Sequence, residues 1–198
     1  MHEEKITRRQ ALPRRKTALT IWTIGHSSRS LDEFIGLLVA HGVHLVADVR
    51  RMPRSRANPQ FNQETLPEAL AEAGLRYVHL PELAGLRRKN PDSTNTAWRN
   101  ASFRAYADYM QTAAFADALD QLVALAETTP VALMCAEAVP WRCHRGLIAD
   151  ALTARGIRVL NIMDKHRADP HVLRAFAHVD GTQVSYPGPE DRAAPHGH

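Results

Sequence analysis

The chain has 198 residues, 44 % of them hydrophobic, enough for one domain with a real core. No apolar run approaches the roughly 20 residues that cross a bilayer. The N-terminal stretch has charge but no apolar secretory segment, and two cysteines are too few for a disulfide scaffold, so the expectation is a cytoplasmic protein without a membrane partner.

The net charge of +4 is carried by residues 1–16, where Lys5, Arg8, Arg9, Arg14, Arg15 and Lys16 outnumber Glu3 and Glu4, leaving residues 17–198 formally neutral. Residues 1–18 read as a basic, disordered tail. A single domain spans 19–180, and the Pro- and Gly-rich stretch 181–198 reads as a second disordered tail.

In chain order, LTIWTI (19–24) is a short β-rich run closed by Gly25. Ser30-Leu31-Asp32-Glu33 is a capping box that opens a helix with Leu31, Phe34, Ile35 and Leu38 on one face, ended by Gly42. VHLVADV (43–49) is a second strand. Thr65 to Gly74 is a helix, and LRYVHL (75–80) a third strand. Residues 81–100 form a long polar loop, of the length that is often functional. Helices follow at 102–111 and 114–128, then VALMC (131–135) as strand four. A helix over 143–155 buries Leu147, Ile148, Ala151 and Leu152, and IRVLNI (157–162) is strand five. The alternation predicts an α/β fold with a mainly parallel sheet of about five strands flanked by helices.

Ligands of open α/β sheets bind beyond the carboxyl ends of the strands. Those ends here carry Gly25-His26-Ser27, Asp48-Val49-Arg50, His79 and Cys135-Ala136-Glu137. CAEAVPWRCHR (135–145) is the densest cluster. Cys143 falls at a helix start, where unpaired amides favour the thiolate, and Arg142 and Arg145 add positive charge. A strand-end cysteine followed by an arginine at a helix start is how rhodaneses and cysteine phosphatases cradle an anion. Six residues between Cys135 and Arg142, where the phosphatase pattern has five, depart from a strict match. The same segment also reads as packed, structural cysteines. A zinc or iron site of Cys135, Cys143 and His144, with His26, is a further reading, as is a reversible disulfide; no cofactor is required by the pattern.

The turn Gly25-His26-Ser27-Ser28 is suited to hold an anion through amides and hydroxyls. The loop after strand two places Arg50, Arg51, Arg54 and Arg56 close together, with Asp48 to orient one of them and Ser55 beside them. Arg87, Arg88 and Lys89 in the long loop are placed to close over the same ligand. The expected partner is a small anionic ligand, with a nucleotide or nucleic-acid end as one form of it. Arg50, Arg54, Arg142 and Arg145 are the candidate anion contacts. Cys135 and Cys143 are the candidate nucleophiles, and Glu137, His26 and His144 the candidate proton carriers. Two rival readings are a non-catalytic anion-binding module built of the same residues, and nucleic-acid binding led by the basic tail.

TIGHSSRSLDEF, LVADVRRMPRSRANPQFN, YVHLPELAGLR and LMCAEAVPWRCHR resemble, in the same order, the hallmark segments of the domain of unknown function 488 family. The resemblance spans about residues 21–165 and implies a cytosolic α/β domain, with no general activity attached to the family. The matching positions are Gly25, His26, Ser27, Asp48, Arg50, Pro53, Ser55, Phe61, Tyr77, Cys135, Glu137, Cys143, His144 and Arg145. Ala84-Gly85 stands where a Gly-Gly pair is expected. The order of a DVR strand end, a cysteine-ended strand and ARGIRV is also distantly similar to rhodanese domains, at the level of layout alone.

Overall fold

In the computed structural model, residues 18–189 are described. The first 17 residues, and with them nearly all of the basic N-terminal segment, lie outside that range, as do residues 190–198.

Five strands, β1 (Thr20–Gly25), β2 (Leu45–Asp48), β3 (Arg76–His79), β4 (Val131–Cys135) and β5 (Arg158–Ile162), alternate with five helices. These are α1 (Leu31–Ala40), α2 (Leu66–Glu72), α3 (Ala101–Tyr109), α4 (Ala113–Thr128) and α5 (Arg145–Ala154). The Ser30 hydroxyl caps α1 by accepting the Glu33 amide at 3.2 Å, as a capping box requires.

The sheet order is β3-β2-β4-β1-β5-β6. The first five strands are parallel, and β6 (Ala168–Pro170) closes the edge antiparallel to β5. From β1 the chain crosses over β4 to reach β2, and from β4 it crosses over β1 to reach β5. The two central strands therefore send their connections in opposite directions, and their carboxyl ends open the crevice where such sheets bind ligands.

Two apolar layers cover the sheet. One packs Phe34, Leu37 and Leu38 of α1 and Leu66 and Leu70 of α2 against Ile24, Val46, Ala132 and Met134. The other packs α3, α4 and α5 against Val131, Leu133 and Cys135. The period of two along β4 thus sends the Cys135 thiol to the α5 side, the side on which Cys143 lies.

The folded unit continues past residue 180, where the sequence pattern of Pro and Gly reads as a tail. Gly181, at φ 58°, turns a hairpin between β7 (His178–Asp180) and β8 (Gln183–Ser185). Beyond it Tyr186 is fully buried and donates its hydroxyl to Asp150 at 2.7 Å. Inward-facing Val184 and Tyr186 hold this segment down, and two such residues are too few to show as periodicity. Among the described residues no helix is long and apolar enough to cross a membrane.

Candidate functional site

β1 delivers the chain to the site at Gly25. A Cβ there would lie 2.0 Å from the Glu137 carbonyl oxygen, so only glycine lets the strand end lie flat against the 135–138 loop. The His26 amide then donates to Cys135 O at 2.9 Å and the Ser27 amide to Ala136 O at 3.0 Å. Together they carry the β1–β4 ladder beyond the strands. Ser27 adopts φ 52°, a left-handed conformation that costs a non-glycine residue free energy.

Next to it lies a saturated ion pair. Asp48 is fully buried and takes hydrogen bonds from Arg50 Nε at 2.9 Å, from Arg50 Nη2 at 2.6 Å and from the Tyr77 hydroxyl at 2.8 Å. Arg50 Nη2 also reaches Phe61 O at 2.7 Å, and Nη1 lies 3.2 Å from His26 Nε2. A guanidinium only donates, so His26 Nε2 accepts and the ring proton sits on Nδ1, which donates to Ser27 O at 2.8 Å. Burial and then the Arg50 charge lower the His26 pKa, while the Ser27 carbonyl and Asp48 oppose them. The ring stacks on Phe61 with centroids 4.2 Å apart. His26 is thus a neutral element of the wall, and Arg50 keeps a single Nη1–H to offer a ligand.

The thiols occupy the adjoining wall. Cys135 Sγ, Cys143 Sγ and a ring nitrogen of His144 all lie within 4.8 Å of one another. Cys143 has extended backbone angles, φ −130° and ψ 150°. Its sulfur accepts the Arg145 amide at 3.5 Å, and its carbonyl accepts the Gly146 amide at 3.0 Å. It therefore caps α5 through a thiol where serine or aspartate commonly serves. The Cys143 pKa is lowered to about 6, first by the hydrogen bond from the Cys135 thiol, with the Arg145 charge and amide adding to it against the upward pull of burial. Cys135 moves the other way, held protonated by that same hydrogen bond and by burial. The pair shares one proton, and the start of α5 decides which sulfur gives it up.

His144 Nε2 lies 3.0 Å from the Val49 carbonyl and donates to it, which leaves Nδ1 as a lone pair 3.6 Å from Cys143 Sγ. Burial lowers the His144 pKa, so this ring is neutral too. Gly85 supplies the space: a Cβ there would lie 2.9 Å from His144 Nδ1. Of the Ala84-Gly85 pair, the tight approach is needed at the glycine, and Ala84 is simply buried beside it.

Arg145 lies beneath the loop. It is 1 % exposed, with Nη1 donating to Thr23 Oγ1 at 3.1 Å and Nη2 to the carbonyls of Glu137 and Ala138. Nε has no partner. Of the two arginines expected to contact an anion here, Arg145 faces Thr23 and the underside of the loop, while Arg142 is exposed and borders the cleft. Arg54 is likewise turned outward, 78 % exposed and 2.6 Å from Glu64. Ser55 organises its loop, taking the Asn62 side-chain oxygen on its amide at 2.6 Å. Arg87 stacks on the Tyr109 ring at 3.5 Å and does not reach over the cleft.

The cleft above the thiols has two lobes, of about 630 Å³ and about 700 Å³. Both are bounded by Ser27, Gly85, Leu86, Cys135, Ala136 and His144. Glu137, Arg142 and Cys143 line the first lobe only. His26, Ser28, Arg50, Arg54 and Ser55 line the second. Sequence reasoning missed Asn100, Phe103 and Tyr106 of the first lobe, Leu86 at the junction and Thr23 below the loop. The long 81–100 loop was the available pointer to Leu86 and Asn100; Phe103 and Tyr106 lie on α3 just beyond it. Nothing local marks Thr23, which reads as an ordinary strand residue.

The chain belongs to the family described as domain of unknown function DUF488, whose family model matches residues 30–152. No curated protein and no solved structure matches the chain.

Proposed function

We propose, from this family membership and the geometry above, that the protein is a thiol-dependent enzyme, a transferase or hydrolase acting on a small anionic molecule at the carboxyl edge of the sheet. The observation that carries the reading is the setting of Cys143, at a helix start, receiving the Cys135 S–H and the Arg145 amide and opening onto a cavity of about 630 Å³. A lowered thiol in a reachable cavity is the requirement for sulfur nucleophilicity.

In the step this supports, Cys143 Sγ forms a bond to an electrophilic atom of the ligand. The bond to the leaving group breaks with its electron pair. When Cys143 enters as the thiol, its proton passes to His144 Nδ1 and from there to the leaving group. Glu137, exposed on the cavity wall, is the second group placed to move a proton.

A metal reading rests on one specific observation. The three soft donors converge, and the Val49 carbonyl fixes the His144 tautomer, as backbone acceptors do for metal-bound histidines. Zinc or iron would be held by Cys135, Cys143 and His144, and would supply Lewis acidity or redox chemistry. One experiment separates the two readings. Chelator-treated protein and Cys143→Ser are incubated with a small acyl thioester and weighed intact, then titrated with Co²⁺. An adduct on the parent protein that Cys143→Ser lacks supports the nucleophile. A sulfur-to-cobalt absorption band together with no adduct replaces it with the metal. Neither signal leaves the cysteines structural.

A further inference from the structure

The two lobes differ in charge. Arg50, Arg51 and the outward-turned Arg54 border the second lobe together with Ser28 and Ser55. Among the described residues no carboxylate lines it, though Arg50 is paired with the buried Asp48 and Arg54 with Glu64. Arg51 is the one of the three with no acid partner among the described residues: its Nη1 donates to the Leu86 carbonyl at 3.2 Å. The first lobe is bordered by one acid, Glu137, and one base, Arg142, and otherwise presents Asn100, Phe103 and Tyr106. Cys143, at the start of α5, lines this lobe and not the other.

The junction is marked independently. Ser27 at φ 52° and Leu86 at φ 55° are the two non-glycine residues with positive φ among those described, and both bound both lobes. Such strain gathers where a ligand or a moving segment needs it. Leu86 is also 71 % exposed, a large apolar side chain held over the opening.

We infer that the substrate is an elongated molecule with an anionic handle, a phosphate or carboxylate, bound by the arginine lobe, while its electrophilic atom and an aromatic or apolar body lie in the Phe103–Tyr106 lobe over Cys143. This inference rests on the thiol reading and specifies its substrate. The anion is recognised away from the reacting atom, in contrast to an anion cradle, where the arginine grips the group that reacts. The placement follows from which wall each side chain forms. Arg145, the one arginine in contact with the Cys143 sulfur, spends its guanidinium on Thr23 and two carbonyls under the loop. Arg50, 7 % exposed, brings its remaining Nη1–H to the other lobe. A phosphate there gains charge-assisted hydrogen bonds, and a ring in the first lobe gains stacking and apolar burial.

The test uses the full chain and two probes, inorganic phosphate and benzyl phosphate, measured by titration calorimetry and by protection of Cys143 from iodoacetamide. Benzyl phosphate is expected to bind at least about tenfold more tightly than phosphate, from the burial of one ring, and to slow Cys143 alkylation. Phosphate is expected to bind and leave alkylation unchanged. Arg51→Gln should weaken both probes in parallel. Phe103→Leu should weaken benzyl phosphate alone. Equal affinity of the two probes, or phosphate protecting Cys143 as well as benzyl phosphate does, overturns the two-lobe assignment. So does the absence of binding by either probe. The calorimetric arm holds whatever the state of the thiol. A Cys143 inert to iodoacetamide in the free protein would therefore sink the nucleophile while the affinities still judge the lobes.

Discussion

Two arginines are buried at the same edge of the sheet and are used in opposite ways. Arg50 meets a carboxylate in a two-pronged pair, with Tyr77 and Phe61 O completing the shell. Among the described residues Arg145 meets no carboxylate, only Thr23 Oγ1 and two carbonyls, and its Nε has no partner. A guanidinium stays charged at any relevant pH, and burying it without a counter-charge costs several kcal/mol. The Arg50 charge is matched by Asp48 at the end of β2, with one Nη1–H left over for the second lobe. The Arg145 charge bears on the Cys143 sulfur, and the thiolate is the anion that answers it. One arginine holds the wall in place, and the other adds to the Cys135 hydrogen bond in lowering the Cys143 pKa.

That contrast predicts unequal mutants. Arg50→Ala leaves Asp48 buried without its partner and should cost about 3–5 kcal/mol, read by urea unfolding. Arg145→Met should cost less, about 1–2 kcal/mol. The lost hydrogen bonds to Thr23 and the loop carbonyls are partly offset by removal of an unmatched charge. The same variant should raise the pH at which Cys143 reacts, a change Arg50→Ala has no direct route to produce. Equal losses from the two variants would erase the distinction.

The pH dependence of stability sharpens it further. The Cys143 pKa is lowered in the folded protein to about 6, so between about pH 6 and the unfolded thiol value near 8.5 the unfolded chain binds more protons. Stability should therefore rise with pH across that window, by at most about 1.4 kcal/mol per unit, and be lost as pH falls through 6. Above it the raised Cys135 reverses the slope, because the unfolded chain then ionises that thiol and the folded one does not. Cys143→Ser should flatten the rise, as measured by unfolding at pH 6.5, 7.5 and 8.5. The smallest effect belongs to Arg54→Ala. Its pair with Glu64 is exposed, and about 0.5 kcal/mol or less is expected.

Much of the frame was legible in the sequence, for local reasons. Apolar β-rich runs bordered by Gly25, Gly42, Gly74 and Gly156 gave β1, β2, β3 and β5, the run VALMC gave β4, and the Ser30 capping box gave the start of α1. The alternation along VALMC already put Cys135 on the face of Leu133. The edge strand β6 and the β7–β8 hairpin escaped because three-residue strands with Pro170, Asp169 and Gln183 carry no period. Site composition could be read, but direction could not. Arg145 at a helix start reads as one half of a cradle. Its turn downward depends on Thr23, which sits 122 residues away in sequence. Likewise, nothing near Arg50 in sequence announces the contact with Phe61 O. Which arginine is spent and which is free is a property of the packed fold.

The central claim is that Cys143 is a thiolate at neutral pH because Cys135 and Arg145 make it one. The direct measurement is the rate of iodoacetamide alkylation at each cysteine from pH 5 to 9, resolved by peptide mass spectrometry on chelator-treated protein. The account expects Cys143 to react with a midpoint near pH 6 and Cys135 to stay inert throughout. A Cys143 midpoint at the ordinary thiol value near 8.5, or Cys135 reacting first, would contradict it.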